Sequence, residues 1–336
     1  MRRHRITSLC AAALLGAGAL LGTGSASVAV PSDADAETEA VAVVPVRNAA
    51  ELKGALAAAK PGDTIQLADG TYRGNFKAYA SGRGSAPITL TGSGGAVLRA
   101  RGGYGLHLNG ASYWNLSGFT VTGGQKGIML DAADHVHINS VTVHGLAMEG
   151  VHFRNSSSDG SIRNSTVYDT GNNGRGMGEG IYVGSAGGTS DGSDRVLIEN
   201  NTLGPDIGGE SIDIKEGTTG ARIIGNTFDG SGLTGAHFDD SWVDIKGNDV
   251  LVAHNTGTHT TNDGFQTHTV QDGWGCRATF RGNTSDLRGA SGPSRYAINV
   301  TNYAQGSCPV TITRDNTVTG GRALTNPGVP VTGSGG

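Results

Sequence analysis

Short runs of alternating apolar and polar residues fill most of the chain. Each breaks at a Gly, Asn, Asp or Ser turn and then begins again. From Tyr104 the runs stack into units: "YGLHLNGASYWNLSGFTVTG", "KGIMLDAADHVHINSVTVHG", "EGVHFRNSSSDGSIRNSTVYDT", "EGIYVGS", "ESIDIKEGTTGARIIGNTFDG", "SWVDIKGNDVLVAHNTGTHT", "DGFQTHTVQDGWGCRATFRGNTSDL" and "YAINVTNYAQGSCPVTITRDNTVTG". The repeat is about 20–33 residues long, with two or three strand-like stretches per unit and no helical one. One unit cannot bury its apolar side alone, but stacked units can. The pattern therefore predicts an all-β solenoid, a parallel β-helix. Earlier, "NAAELKGALAAAK" at 48–60 predicts a short helix, with Asn48 as its cap, Glu51 at the capping-box position and Pro61-Gly62 ending it. That helix would cap the open N-terminal end of the core.

Aligning the units on their first strand gives columns. Ile128, Val151, Ile181, Ile212, Val243, Phe265 and Ile298 fall on the core side. Side chains alternate along a strand, so Met129, His152, Tyr182, Asp213, Asp244, Gln266 and Asn299 should face outward. The next outward column carries Asp131, Arg154, Gly184, Lys215, Lys246, His268 and Thr301, and a strand-leading column carries Glu149, Glu179, Glu210, Ser241 and Asp263. Asn recurs at 139, 164, 201, 226, 255, 283 and 316, which predicts an inward amide ladder rather than a set of glycan acceptors.

Composition narrows the class. The chain has 336 residues with 57 Gly, and its formal net charge of −4 gives no reason to expect nucleic acid as a partner. "MRRHR", a short apolar run and "GSA" ending at Ala26 form an export signal, which implies a secreted protein with no membrane span after cleavage. The organisation expected is a signal peptide over 1–26, an acidic linker over 27–45, the β-helix over 46–324 and a loose C-terminal tail over 325–336. A monomer is expected. Cys276 and Cys308 sit at matching places in adjacent units and should be bonded in an oxidising compartment.

The chemistry gathers where "ESIDIK" and "SWVDIK" repeat Asp-Ile-Lys. With coils about 4.8 Å apart, Asp213, Asp244, Lys215, Lys246, His268, Tyr182, Glu179 and Glu210 form one patch. Trp242 reads as an exposed platform for a sugar ring, and the insertions around the patch add Arg175, His237 and Asp240. An elongated groove of mixed charge suits an acidic polysaccharide. β-Elimination from a uronic acid needs the sugar carboxylate neutralised, a base for the C5 proton and an acid for the leaving oxygen. Glu179, Glu210 and Asp213 offer hard oxygen ligands for Ca²⁺, and Lys215 or Lys246 could be the base.

The chain resembles right-handed β-helix polysaccharide lyases of the pectate-lyase-like superfamily, and within it the alginate lyase and chondroitinase B group. "KPGDTIQLADGTYRG" followed by "APITLTG" is similar to that group's N-terminal coil, and "ESIDIK" to its stretch bearing a calcium-ligand Glu and the base Lys. The resemblance implies these roles for Glu210 and Lys215. The group's Arg-His-Gly is replaced by Ala236-His237-Phe238, so His237 aligns but the Arg is missing. Lys246, Arg175 or His268 would then have to serve as the acid. Two other readings stand beside the lyase. One is a glycoside hydrolase using Asp213, Asp244, Asp239 or Asp240, and the other is a glycan-binding solenoid without catalysis. An epimerase would share the proton-abstraction step.

Overall fold

The computed structural model describes residues 42–236 and 239–333. The signal peptide and most of the linker expected over 27–45 lie outside the described residues. Each coil contributes a strand to each of three sheets, of eleven, ten and ten strands, and every strand pairs in parallel with its counterpart one coil away. The sheet that will matter for function runs through Phe76–Ala78, Tyr104–Asn109, Lys126–Asp131, Val151–Arg154, Ile181–Val183, Ile212–Ile214, Ser241–Ile245, Asp263–Thr267, Tyr296–Val300 and Ala323–Thr325. It is called the site sheet below. The architecture is the parallel β-helix that the repeat predicts.

Register follows the apolar column. Ile128 pairs with Val151, then Ile181, Ile212, Val243, Phe265 and Ile298, all fully buried. Burying such a side chain is worth about 1.5–3 kcal/mol, and a one-residue slip would turn the whole column outward. The ends of the stack are closed. At the N-terminal end lies the helix Ala49–Ala58, whose Leu52 and Leu56 are buried. The Asn48 Oδ1 accepts from the Ala50 and Glu51 amides at 3.0 Å, and Glu51 accepts in turn from the Asn48 side chain and the Arg47 amide. The strand Val43–Val46 pairs with Thr64–Leu67, so the solenoid begins within the segment read as linker. At the other end Val329 is buried and the Thr332 amide donates to the Ile312 carbonyl at 2.8 Å, so this part of the expected tail is packed down. Cys276 and Cys308 are disulfide-bonded, tying adjacent coils.

Two sequence expectations need correction. The amide ladder is real from Asn201 through Asn226, Asn255 and Asn283 to Asn316. Each side-chain oxygen accepts from the backbone and side-chain amides of the preceding member at 2.8–3.0 Å. Asn139 and Asn164 are not members. They form an exposed pair instead, and Ser165 takes the ladder position, its amide donating to Asn201. Strand register aligns Ile138, Ile162, Ile198, Ile223 and Val252; ladder members follow three residues later, whereas Asn139 and Asn164 come too early in their turns.

Trp242 is not exposed but fully buried. Its column is otherwise small: Gly127, Gly150, Gly180, Ser211, Gly264 and Ala297. Side chains there point into the corner where the site sheet meets the third sheet, the ten-stranded one that includes Thr166–Tyr168, Thr227–Asp229 and Thr256–Thr258. A Cβ on Gly150 would lie 2.6 Å from the Val167 side chain. The indole fits because the third sheet has Gly257 in register with Phe228, and a Cβ on Gly257 would lie 2.5 Å from the ring. The ring packs on Phe228 and Phe265, and its N–H donates to the Thr258 carbonyl at 3.0 Å. Strict alternation fails at this corner. The Glu149, Glu179 and Glu210 column faces outward, the next residue fills the corner and only the third enters the core.

Candidate functional site

The site is built on the outer surface of the site sheet. Register places Tyr182, Asp213, Asp244 and Gln266 on successive coils, pointing the same way. Lys215 and Lys246 follow their strands, and Glu179 and Glu210 precede theirs. The repeated Asp-Ile-Lys therefore does stack. The result is not a solvated ladder of surface charges: Asp213, Asp244, Glu179, Glu210 and Tyr182 are all buried, and the two lysine side chains are each only 12% exposed. Buried charges need partners, and the pairing runs in one line. Lys215 Nζ lies 2.6 Å from Asp213, Lys246 Nζ 3.0 Å from Asp213 and 2.5 Å from Asp244, and His268 Nδ1 2.7 Å from Asp244.

The two lysines are not equivalent. Burial disfavours the Lys246 ammonium, but Asp213, Asp244 and Glu210 together outweigh it and raise its pKa well above the usual lysine value. Lys246 is thus held as an ammonium bridging two carboxylates. Lys215 pairs with Asp213 alone among the described residues and lies 5.0 Å from the centre of the Tyr182 ring. Burial, then the Asp213 charge, push the Tyr182 phenol well up, so it keeps its proton. Burial opposes ionisation of Asp244, but Lys246 and His268 hold it well below the carboxylate range. Burial also lowers His268, but the Asp244 hydrogen bond and charge raise it overall.

Two carboxyls lack such support. Burial first, then Asp213, push Glu179 up to about 7. Burial, then Asp213 and Asp244, push Glu210 well above the carboxylate range. Glu179, Glu210 and Asp213 each offer an oxygen within 4.8 Å of the others, and the Glu179 Oε2 is buried without a hydrogen-bond partner. Three converging hard oxygens with one unsatisfied fit a divalent cation of the calcium type. The donor set matches the one read from the sequence.

The other expected site residues scatter. Asp240 lies at the edge, accepting from Asn262 at 2.8 Å and Gln266 at 3.0 Å. Asp239 is buried and holds the Thr234 amide and hydroxyl, a structural task. Arg175 is exposed in the loop before Ile181–Val183 and makes no ion pair among the described residues, and His237 lies outside the described residues. Trp242, being core, cannot be the sugar platform. Sequence reading also missed a second buried group on the same face. Lys126 Nζ lies 2.9 Å from Glu149 and 3.3 Å from His152 Nδ1, and the His152 Nε2 donates to the Gly184 carbonyl at 2.9 Å. Burial, then Lys126, push His152 down to about 4, so the ring is neutral, and it packs edge-on against Tyr182 at 4.5 Å. Glu149 and His152 were in the outward columns, but nothing in them flagged Lys126 as their partner.

Comparison with known proteins agrees with the β-helix fold. The family model for the right-handed β-helix region matches residues 104–190. A search of curated proteins finds no match. Among solved structures, the chain is similar to the alginate lyase from Paenibacillus sp. str. FPU-7. Identity is 39%, with 88% of this chain and 98% of that one covered and a TM-score of 0.74. It is also similar in fold to pectate lyase Pel9A, at 17% identity over 84% of this chain and 78% of that one, with a TM-score of 0.61. A family 28 exopolygalacturonase from Yersinia enterocolitica matches at 12% identity over 88% and 77%, with a TM-score of 0.56. The last two show the fold alone; the first shows more, and the chain belongs to the family of right-handed β-helix proteins that includes the Paenibacillus alginate lyase.

Proposed function

We propose that the protein is a secreted polysaccharide lyase that cleaves a uronic-acid polymer, alginate first among the candidates, by β-elimination. The observation that carries the reading is the division of labour between the lysines: Lys246 bridges two buried carboxylates, and Lys215 pairs with one and lies beside the Tyr182 ring. Lys215 acts as the general base and takes the C5 proton of the sugar. The electron pair forms the C4–C5 double bond as the C4–O bond breaks, and Tyr182 gives its phenolic proton to the leaving oxygen. Lys246 stays an ammonium throughout and adds positive charge beside the sugar carboxylate. Glu179, Glu210 and Asp213 would hold a calcium ion, which when bound would neutralise that carboxylate and make the C5 proton more acidic. Exchange with solvent then returns the proton to Tyr182 and removes it from Lys215. The role of Tyr182 here is acid rather than substrate contact alone, and it fills the place of the Arg that the Ala236-His237-Phe238 stretch lacks. The export signal and the disulfide support secretion.

Hydrolysis is the second reading, favoured by the register of Asp213 with Asp244, whose coil spacing of about 4.8 Å approaches that of a retaining pair. It fits less well because both carboxylates are held by lysines. The products decide. Incubation with polymannuronate, polyguluronate, pectate and glucuronan should yield unsaturated, ultraviolet-absorbing ends from at least one polymer. Reducing ends without that absorbance would mean a hydrolase. Binding without products would mean a glycan-binding solenoid.

A further inference from the structure

The N-terminal half of the site sheet carries groups that the chemistry above does not use. Lys77, His107, Met129, His152 and Tyr182 follow one another in register on the outer face. Beside them Asn109, Asp131 and Arg154 are in register, and Tyr79 begins the same row one residue past its strand. The acids here are buried and already engaged. Asp131 takes the Arg154 guanidinium through two bonds of 2.7 and 3.0 Å and His107 at 2.8 Å, and Glu149 takes Lys126. What remains at the surface is cationic and aromatic. Arg154 is 31% exposed against 9% for Asp131, Lys77 is exposed, and Tyr79 is 63% exposed with the Lys77 ammonium 4.8 Å from its ring centre.

We infer that this face is a remote binding track for the same acidic polymer, with Arg154 and the Lys77–Tyr79 pair as its two anchors. The inference rests on the lyase reading of the site. Three facts support it. The track continues the columns that carry Tyr182 and Lys215, so a straight polymer lying on the site runs onto it. Its exposed charge is opposite to that of a uronate. Its spacing suits a polymer whose rings each advance about one coil: Arg154 is two coils from Lys215, roughly 10 Å, and Lys77 is four coils from Tyr182, roughly 19 Å. Asp131 holds Arg154 in place before any ligand arrives, which lowers the ordering cost of binding. Tyr79 offers a flat amphipathic face to a sugar ring, and Lys77 offers its charge to the carboxylate on that ring.

The test is a length ruler. Both Lys77 and Tyr79 are exposed, so Lys77→Ala with Tyr79→Ala should leave the fold intact. The double variant should raise KM for long polymannuronate about tenfold with kcat unchanged. It should leave a trisaccharide unaffected, because that ligand cannot reach from the scission point to Lys77. Arg154→Gln should raise KM for long chains and for short oligosaccharides that extend two coils. An unchanged KM on long chains, or an equal rise on the trisaccharide, overturns the track. Calorimetric binding of polymannuronate is measured alongside and needs no turnover. About tenfold weaker binding by the double variant supports the track, and equal binding overturns it. If the unaltered protein binds the polymer but forms no unsaturated ends, the lyase reading fails while the binding comparison still decides the track.

Discussion

Two buried charge groups share the outer face of one sheet, and they are balanced differently. In the Lys126–Glu149–His152 group one ammonium meets one carboxylate, and a neutral imidazole completes the set. In the group one to three coils further on, Glu179, Glu210, Asp213 and Asp244 face two lysines and one histidine; each group leaves one glutamate oxygen without a partner, on Glu149 and on Glu179. Burial costs both groups free energy. The first matches one positive charge to one carboxylate, whereas the second gathers more carboxyls than cations. On the proposed function, this surplus of buried carboxyl next to a tyrosine and a lysine is where a cation and an anionic sugar would bind together.

This contrast can be broken most strongly at Lys215. Lys215→Ala should cut turnover by roughly 10³-fold while the denaturation midpoint stays nearly unchanged, read by initial rates and a urea titration. Loss of stability in parallel with activity would mean that Lys215 belongs to the scaffold. Lys246→Met should behave in the opposite way first. It removes the buried cation that Asp213 and Asp244 share, leaving each with one partner, Lys215 and His268, and should cost about 3–5 kcal/mol of unfolding free energy. Activity would be lost as well, but a stable Lys246→Met protein would contradict the account of that side chain.

The pH dependence of stability sharpens the comparison, because the two groups have opposite signs. Glu179 is raised in the folded state from 4.5 to about 7, so the folded protein holds a proton that the unfolded chain releases. Stability from this group is full below pH 4.5 and falls as pH rises to 7. His152 is lowered from 6.5 to about 4, so the unfolded chain takes up the proton first. Its contribution is full above pH 6.5 and falls as pH drops to 4. Each effect is on the order of 3 kcal/mol. Glu179→Gln should flatten the neutral limb, and His152→Asn the acid limb, of stability measured without divalent cations. Added calcium should restore stability above pH 7 in the unaltered protein but not in Glu179→Gln. The smallest effect lies away from the face: the exposed Arg277–Asp249 pair should contribute under about 1 kcal/mol, so Arg277→Ala should scarcely move the midpoint.

Much of this was legible in the sequence for one reason. Parallel stacking makes residues at the same phase of successive units into neighbours, so aligning Ile128 with Val151 and Ile181 also aligned Tyr182 with Asp213 and Asp244. What was not legible depends on quantities that phase does not carry. Trp242 was misread because alternation fails at the corner, and the room for its ring comes from Gly257, on a different strand. Asn139 and Asn164 were misplaced because they follow the aligned Ile138 and Ile162 by one and two residues, where a ladder member follows by three. The difference between Lys215 and Lys246 could not be read either. Their local sequences are nearly identical, and only the number of carboxylates around each amine separates them.

The indole of Trp242 and the missing side chain of Gly257 belong to the same turn of the solenoid, so the bulge and the hollow that receives it are inherited together. The hollow also borrows from its neighbours, because a Cβ on Gly264 in the next coil would lie 2.7 Å from the ring. A turn moved elsewhere in the stack would keep its ring housed only where the next coil is equally bare at that place; cut between Trp242 and Gly257, it would leave either an empty corner or an unhoused ring.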